Sequence, residues 1–294
     1  MSTKTHFSLS KLQHIIQWQD IDPGKMELNG HFKTNEIIFT AIMHLTHTLL
    51  SANAEHWIFA FYGYGQQAEV FRPLAEKLKG KYNLLVIDLP VQWQDVVIEK
   101  TDFIRFLDEL VARYSIQKIT GLSYSMGSRF NLVMAERCPE LIDKLILVAP
   151  DGIRMRLWNR FSTSTLLGNW IFQYLVNSKN AYANAISFLY RMKLMPKTMY
   201  AFSKWHMRDR ECRTKVYNAW INMKKMIPDL KLLKQKKEEC GFDMMAYFGK
   251  SDTIINQACL KKLARKIPSA KIVSLNKGHN LLDEELFDTI AEHI

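Results

Sequence analysis

Three short segments carry side chains whose types and spacing could break an acyl bond. Gly121-Leu-Ser-Tyr-Ser-Met-Gly-Ser-Arg129 holds a serine with small residues two positions to either side. Phe248-Gly-Lys-Ser-Asp252 ends on a carboxylate, and Asn276-Lys-Gly-His279-Asn280 centres on an imidazole. A neutral serine hydroxyl is a weak nucleophile, so a base must take its proton during attack and return it to the leaving group. An imidazole can do so near neutral pH. A carboxylate behind it fixes the tautomer and stabilises the cation that forms. Ser125, Asp252 and His279 also follow the chain order expected when such a trio is built on an α/β sheet.

Two serines compete for the first role. With Ser125 as nucleophile the flanks are Ser123 and Gly127, followed by Ser128; with Ser123 they are Gly121 and Ser125, followed by Met126. A nucleophile placed on a sharp strand-to-helix turn needs small neighbours, and only the first frame keeps them small after the serine. The plainer role for Ser125 is a helix cap. The acid and the histidine further along favour the nucleophilic one. Asp151, after Val148-Ala149-Pro150, is a rival acid, and His206 a rival histidine.

Hydrophobic periodicity predicts the elements that must position these groups. His56–Tyr62, Tyr82–Leu89, Ile116–Tyr124, Leu145–Ala149, Asp243–Phe248 and Lys271–Leu275 read as strands, several apolar enough to be buried on both faces of a parallel sheet. Ala68–Lys79, Thr101–Tyr114, Arg129–Arg137, Gln257–Lys266 and a segment from Glu284 carry apolar stripes at helical spacing. The alternation predicts an α/β fold with a doubly wound, mostly parallel sheet. Ser125, Asp252 and His279 then fall in loops at the carboxyl ends of strands, where reacting groups gather in open α/β sheets. Residues 153–240 break the alternation with helix formers and aromatics. They read as a helical cap inserted between a first core part, 1–152, and a second, 241–294. Residues 1–55 are read as a hairpin entering the sheet edge, with a helix over Thr34–Leu50 as the competing reading.

Composition sets the broad class. Over 294 residues, 48% apolar and 23% charged positions suffice for a packed core and exclude a disordered chain. Four cysteines without metal-ligand spacing exclude a disulfide scaffold and give no zinc site, and no metal or cofactor is expected. Met1–Asp20 lacks the apolar core of a secretory signal, and no apolar run is long enough to span a bilayer, so a cytoplasmic location is expected. The net charge of +11 is uneven. Residues 153–240 hold 18 Lys/Arg against 5 Asp/Glu, and the remainder 22 against 24.

Taken together, Tyr62-Gly-Tyr-Gly65, Ser123-Tyr-Ser-Met-Gly127, Gly249-Lys-Ser-Asp252 and Gly278-His-Asn280 resemble the α/β-hydrolase superfamily, in its capped esterase and C–C hydrolase branch. The resemblance covers residues 56–152 and 241–294. It implies a carboxylesterase-like serine hydrolase that cleaves an ester or thioester through an acyl-enzyme. The backbone N–H groups of Tyr64 and Met126 would be its oxyanion donors. Tyr62 stands where many members have histidine, which implies an effect on substrate fit. Val91-Gln-Trp93-Gln94 replaces a common Gly-His-Gly loop and places Trp93 at the implied pocket rim. Arg129 resembles a carboxylate-binding arginine of the lyase 2-succinyl-6-hydroxy-2,4-cyclohexadiene-1-carboxylate synthase, with Arg154, Arg156 and Arg160 available beside it. That lyase, or a C–C bond hydrolase, is the alternative activity. A catalytically silent binding protein on the same fold is the second alternative.

The implied partner is a small-molecule acyl substrate, anionic or lipophilic. The basic cap has three readings: a solvated face, a surface that steers an anionic or membrane-bound substrate through transient membrane contact, or a nucleic-acid site. The last is disfavoured, since no nucleic-acid-binding motif is present.

Overall fold

The computed structural model describes residues 45–90, 93–94, 96–154, 157–195 and 197–294. Seven strands form one sheet: β1 His47–Ser51, β2 His56–Phe61, β3 Tyr82–Ile87, β4 Ile119–Tyr124, β5 Ile142–Val148, β6 Asp243–Gly249 and β7 Lys271–Leu275. Their order is β1-β3-β2-β4-β5-β6-β7. Every neighbouring pair is parallel except β1 with β3. The expected doubly wound α/β sheet is what the chain forms. Its winding reverses at β2, which has β3 on one side and β4 on the other. Loops leaving β2 and β4 therefore diverge to open a crevice at the carboxyl edge.

The helices follow in chain order. They are α1 Arg72–Lys77, α2 Lys100–Tyr114, α3 Ser128–Arg137, α4 Leu157–Ser164, α5 Leu166–Asn177, α6 Lys179–Arg191, α7 Lys197–His206, α8 Arg210–Asn222, α9 Leu230–Cys240, α10 Gln257–Lys266 and α11 Glu284–His293. The sheet core is dry: β4 is buried along its whole length, and Phe61 and Phe130 stack at 6.1 Å where α3 crosses β2.

Two local readings change, and one open between strand and helix resolves. The helix expected over Ala68–Lys79 is a one-turn 3-10 segment, Ala68–Phe71, followed by α1. Pro73 lacks an N–H and sits in the first turn of α1, where that loss costs nothing. The strand expected from Ile116 begins at Ile119, because Ser115 ends α2 in the left-handed conformation and the chain must turn first. At the amino-terminal side, residues 47–50 are strand and not helix. β1 enters at the sheet edge, antiparallel to β3, and the other half of the expected hairpin lies outside the described residues.

Six helices, α4 to α9, lie between β5 and β6. Phe172, Val176, Val216, Tyr217 and Ile221 give α5 and α8 a small apolar core of their own. The last helix behaves differently. Leu230 and Leu233 of α9 belong to the main core, and the backbone N–H of Asp229 donates to Glu136 of α3 at 2.7 Å. Burying those leucines favours docking by ~1.5–3 kcal/mol each. The chain just before α9 joins the main core too, through Ala219, Met223 and Met226.

Candidate active site

β4 delivers the chain to Ser125 in an extended conformation, and Ser125 itself turns to φ +50°. An L-residue there costs about 1–3 kcal/mol and persists only where the surroundings enforce it. Here they do. A Cβ on Gly127 would run into the carbonyl oxygens of Phe61 and Tyr62, so only glycine lets the turn close against β2. Ser123 is fully buried and its hydroxyl accepts from the Asn131 amide at 2.9 Å. The Asp151 backbone N–H donates to the Ser125 carbonyl at 3.0 Å. The result is a Ser Oγ raised above the sheet edge at the start of α3.

The structure brings Ser125, His279 and Asp252 together. Ser125 Oγ lies 3.0 Å from His279 Nε2, and His279 Nδ1 lies 2.7 Å from Asp252 Oδ2. Asp252 is buried, and its other oxygen accepts the backbone N–H groups of Ile254 and Ile255 at 2.8 and 2.9 Å. Those two bonds fix the carboxylate's orientation. The loops after β6 and β7 are joined to each other. The Lys250 N–H donates to the Leu275 carbonyl at 2.8 Å, and Ser251 Oγ donates to the Lys277 carbonyl at 3.0 Å. A Cβ on Gly249 would collide with the carbonyls of Lys277 and Gly278. The Lys277 ammonium anchors the histidine loop to Asp283 and Glu285 at 2.7 and 2.6 Å.

Sequence reasoning missed Tyr124. Its hydroxyl donates to the backbone carbonyl of His279 at 2.9 Å, and its ring lies 5.4 Å from the imidazole. Burial, with Asp252 nearby, pushes the phenol well above its ordinary value, so it stays a donor. The only sequence signal was an aromatic wedged between two serines, which reads equally well as core. Gly63 makes room for it, since a Cβ there would press on the Tyr124 ring.

The other predicted residues separate into those at the site and those away from it. Tyr64 and Met126 both line a cavity that Ser125 and His279 also face. Met126 sits in the first turn of the helical run beginning at Ser125, where backbone N–H groups have no carbonyl behind them. The Tyr64 side chain points the other way, into the inserted helices, and meets the His206 ring at 5.7 Å. Burial pushes its phenol up to about 12, with Cys212 adding to the effect. Tyr62 and Trp93 do not line the cavity. The Tyr62 hydroxyl donates to Asp88 and accepts from the Leu89 N–H, both at 3.1 Å, so it ties β2 to β3. The Trp93 carbonyl accepts from the buried Asn222 amide at 2.7 Å. Arg129 is 4% exposed, and its Nε and Nη2 both bind Asp151 Oδ2, at 2.8 and 2.7 Å. That pair occupies the rival acid and the expected anion-binding arginine together. His206 lies in the cavity wall, not beside Ser125 Oγ.

The cavity is about 760 Å³. Ser125 and His279 form its floor, and its other walls are largely apolar: Leu189, Leu194, Met195, Met199, Phe202 and Trp220, all from the inserted helices. Arg129, Asp151 and Arg154 give one polar corner. Such a space takes an apolar chain with a polar end held at the serine.

This sheet and site define the class: the chain belongs to the alpha/beta hydrolase fold family, whose model matches residues 56–286, and it is a hydrolase of that fold. Among curated proteins it is similar to the uncharacterized hydrolase YugF of Bacillus subtilis, 20% identical over 240 residues, covering 79% of this chain and 86% of that one. Among solved structures it is similar to a carboxylesterase of the thaumarchaeon Nitrososphaera gargenis, with TM-score 0.56 and 14% identity over 85% of this chain and 93% of that one. The enol-lactonase of Burkholderia xenovorans LB400 has TM-score 0.53 and 17% identity over 85% and 94% of the two chains.

Proposed function

We propose that the protein is a serine hydrolase that cleaves a carboxylic ester or thioester through an acyl-enzyme. The observation that carries this reading is the continuous chain of hydrogen bonds from Ser125 Oγ through His279 to Asp252, 3.0 and 2.7 Å long. In the first half-reaction, Ser125 Oγ attacks the acyl carbon while His279 Nε2 takes its proton. The charge that develops on the carbonyl oxygen is held by the backbone N–H groups of Tyr64 and Met126. Each such donor is worth about 3–4 kcal/mol to the transition state in well-studied hydrolases. Collapse expels the alcohol or thiol, which leaves with the proton from His279. Water then repeats the sequence and frees the acid.

A lyase or C–C hydrolase acting on a substrate carboxylate has less support, because Asp151 already engages the Arg129 guanidinium. Labelling by a fluorophosphonate probe tests the proposal. Wild-type protein should take up one probe, and Ser125→Ala none. A folded wild-type protein that stays unlabelled would overturn the esterase reading and favour a silent binding protein.

A further inference from the structure

The helices over the cavity combine two properties that rarely coincide on a solvated face. Residues 152–208 contain nine Lys/Arg and no Asp or Glu. Between those cations several of the exposed side chains are large and apolar. Phe188, Met192 and Leu194 are 60%, 57% and 70% exposed, and Trp205 is 67% exposed. Arg191 and Lys193 alternate with the first three and are exposed as well. The end of α6 and the body of α7 sit side by side, with the rings of Tyr190 and Tyr200 stacked at 4.4 Å. The two pieces therefore form one rim.

That rim is also a wall of the catalytic cavity. Leu189, Leu194 and Met195 line it from the α6 side, Met199 and Phe202 from α7. Leu194 does both, facing solvent and cavity at once. Apolar side chains thus belong both to the outer surface and to the cavity that Ser125 faces.

Charge and apolarity together select the occupant. A second copy of this face would set cation against cation. A nucleic acid would satisfy the charges and leave the apolar side chains in water. An anionic lipid surface satisfies both, with headgroups around Arg191 and Lys193 and the acyl boundary around Phe188, Met192, Leu194 and Trp205. On α5, Leu166, Leu167, Trp170 and Tyr174 extend the exposed apolar surface along one helical face.

We propose that the rim formed by α6, its following turn and α7 docks on an anionic lipid surface and admits an ester-linked acyl chain from that surface into the cavity. The docking half stands on the rim alone, and the chemical fate of the chain rests on the serine-hydrolase reading.

The test keeps the two apart. Full-length Ser125→Ala is sedimented with vesicles of phosphatidylcholine alone, or mixed with phosphatidylglycerol. It should bind the mixed vesicles, more weakly at high salt, and bind the neutral ones poorly. The pair Arg191→Gln and Lys193→Gln should lower partitioning about thirty-fold, and Phe188→Ser with Trp205→Ser should lower it on both kinds of vesicle. With Ser125 intact, the charge variant should match wild type on a water-soluble short-chain ester and release less fatty acid from mixed vesicles. Equal binding to both vesicle types, or no loss in the charge variant, overturns the proposal. So does retention by an acidic protein in preference to vesicles. Binding to mixed vesicles by a protein that no fluorophosphonate labels keeps the docking surface and removes the serine-hydrolase reading.

Discussion

His279 is held at both ends. Asp252 receives its Nδ1 and Tyr124 holds its backbone carbonyl, so the ring has little freedom left beside Ser125. Tyr124→Phe keeps the ring and loses only the hydroxyl. It is expected to lower kcat about tenfold with KM nearly unchanged, and to leave fluorophosphonate labelling intact but slower. A purely structural tyrosine would move Tm and not kcat. The serine, the acid and the histidine were legible because each follows a strand in a motif of small residues. Tyr124 was not, since strand alternation tells which face a side chain takes but not which backbone group its hydroxyl meets. His206 supplies a second residue-scale test. Burial lowers its pKa, with Arg208 adding to the effect. The unfolded chain therefore takes up that proton first as pH falls. The stability involved is complete above the ordinary imidazole value and is lost as pH drops through the lowered one. Tm should fall as pH drops below the ordinary imidazole value, and His206→Gln should flatten part of that slope.

At the scale of elements, the site depends on two loops meeting at a glycine. Gly249 ends β6 where the carbonyls of Lys277 and Gly278 come closest, whereas a Cβ on Gly278 would meet nothing. Gly249→Ala should push the histidine loop away from Asp252, losing about 2–4 kcal/mol of stability and most activity. Gly278→Ala should change neither measurably in a thermal melt or an esterase assay. From sequence the two glycines look alike; the approach that separates them is made by residues 26 or more positions apart. The same limit applies to α9. α9 has the helical spacing of its predecessors, and only the partners of Leu230 and Leu233 show that it packs on the core. The fold class needed no such long-range knowledge, because alternating βα units dictate it.

On the scale of the whole molecule, a buried carboxylate is one of the ties between the return from the inserted helices and the sheet domain. Glu136 binds the Lys100 ammonium at 2.8 and 2.9 Å, the Arg137 guanidinium at 2.8 Å and the Asp229 N–H at 2.7 Å. Lys100 and Arg137 remain partly exposed, so removing their partner leaves them hydrated; the Asp229 N–H is the group left unsatisfied. Glu136→Ala is expected to cost about 2 kcal/mol, seen as a Tm lower by several degrees. Because Asp229 opens α9 at the return from the cap, limited proteolysis should cut the variant faster near that junction than wild type. Among the described residues no helix is long and apolar enough to cross a membrane.

The left-handed turn at Ser125 sets folding against function at a single position. Glycine adopts that conformation without penalty, so Ser125→Gly should raise Tm while ending catalysis, and Ser125→Ala, still carrying a Cβ, should not. A lineage in which this protein had become a mere binding scaffold would gain by drifting to glycine there. The serine is a handicap that folding alone would discard.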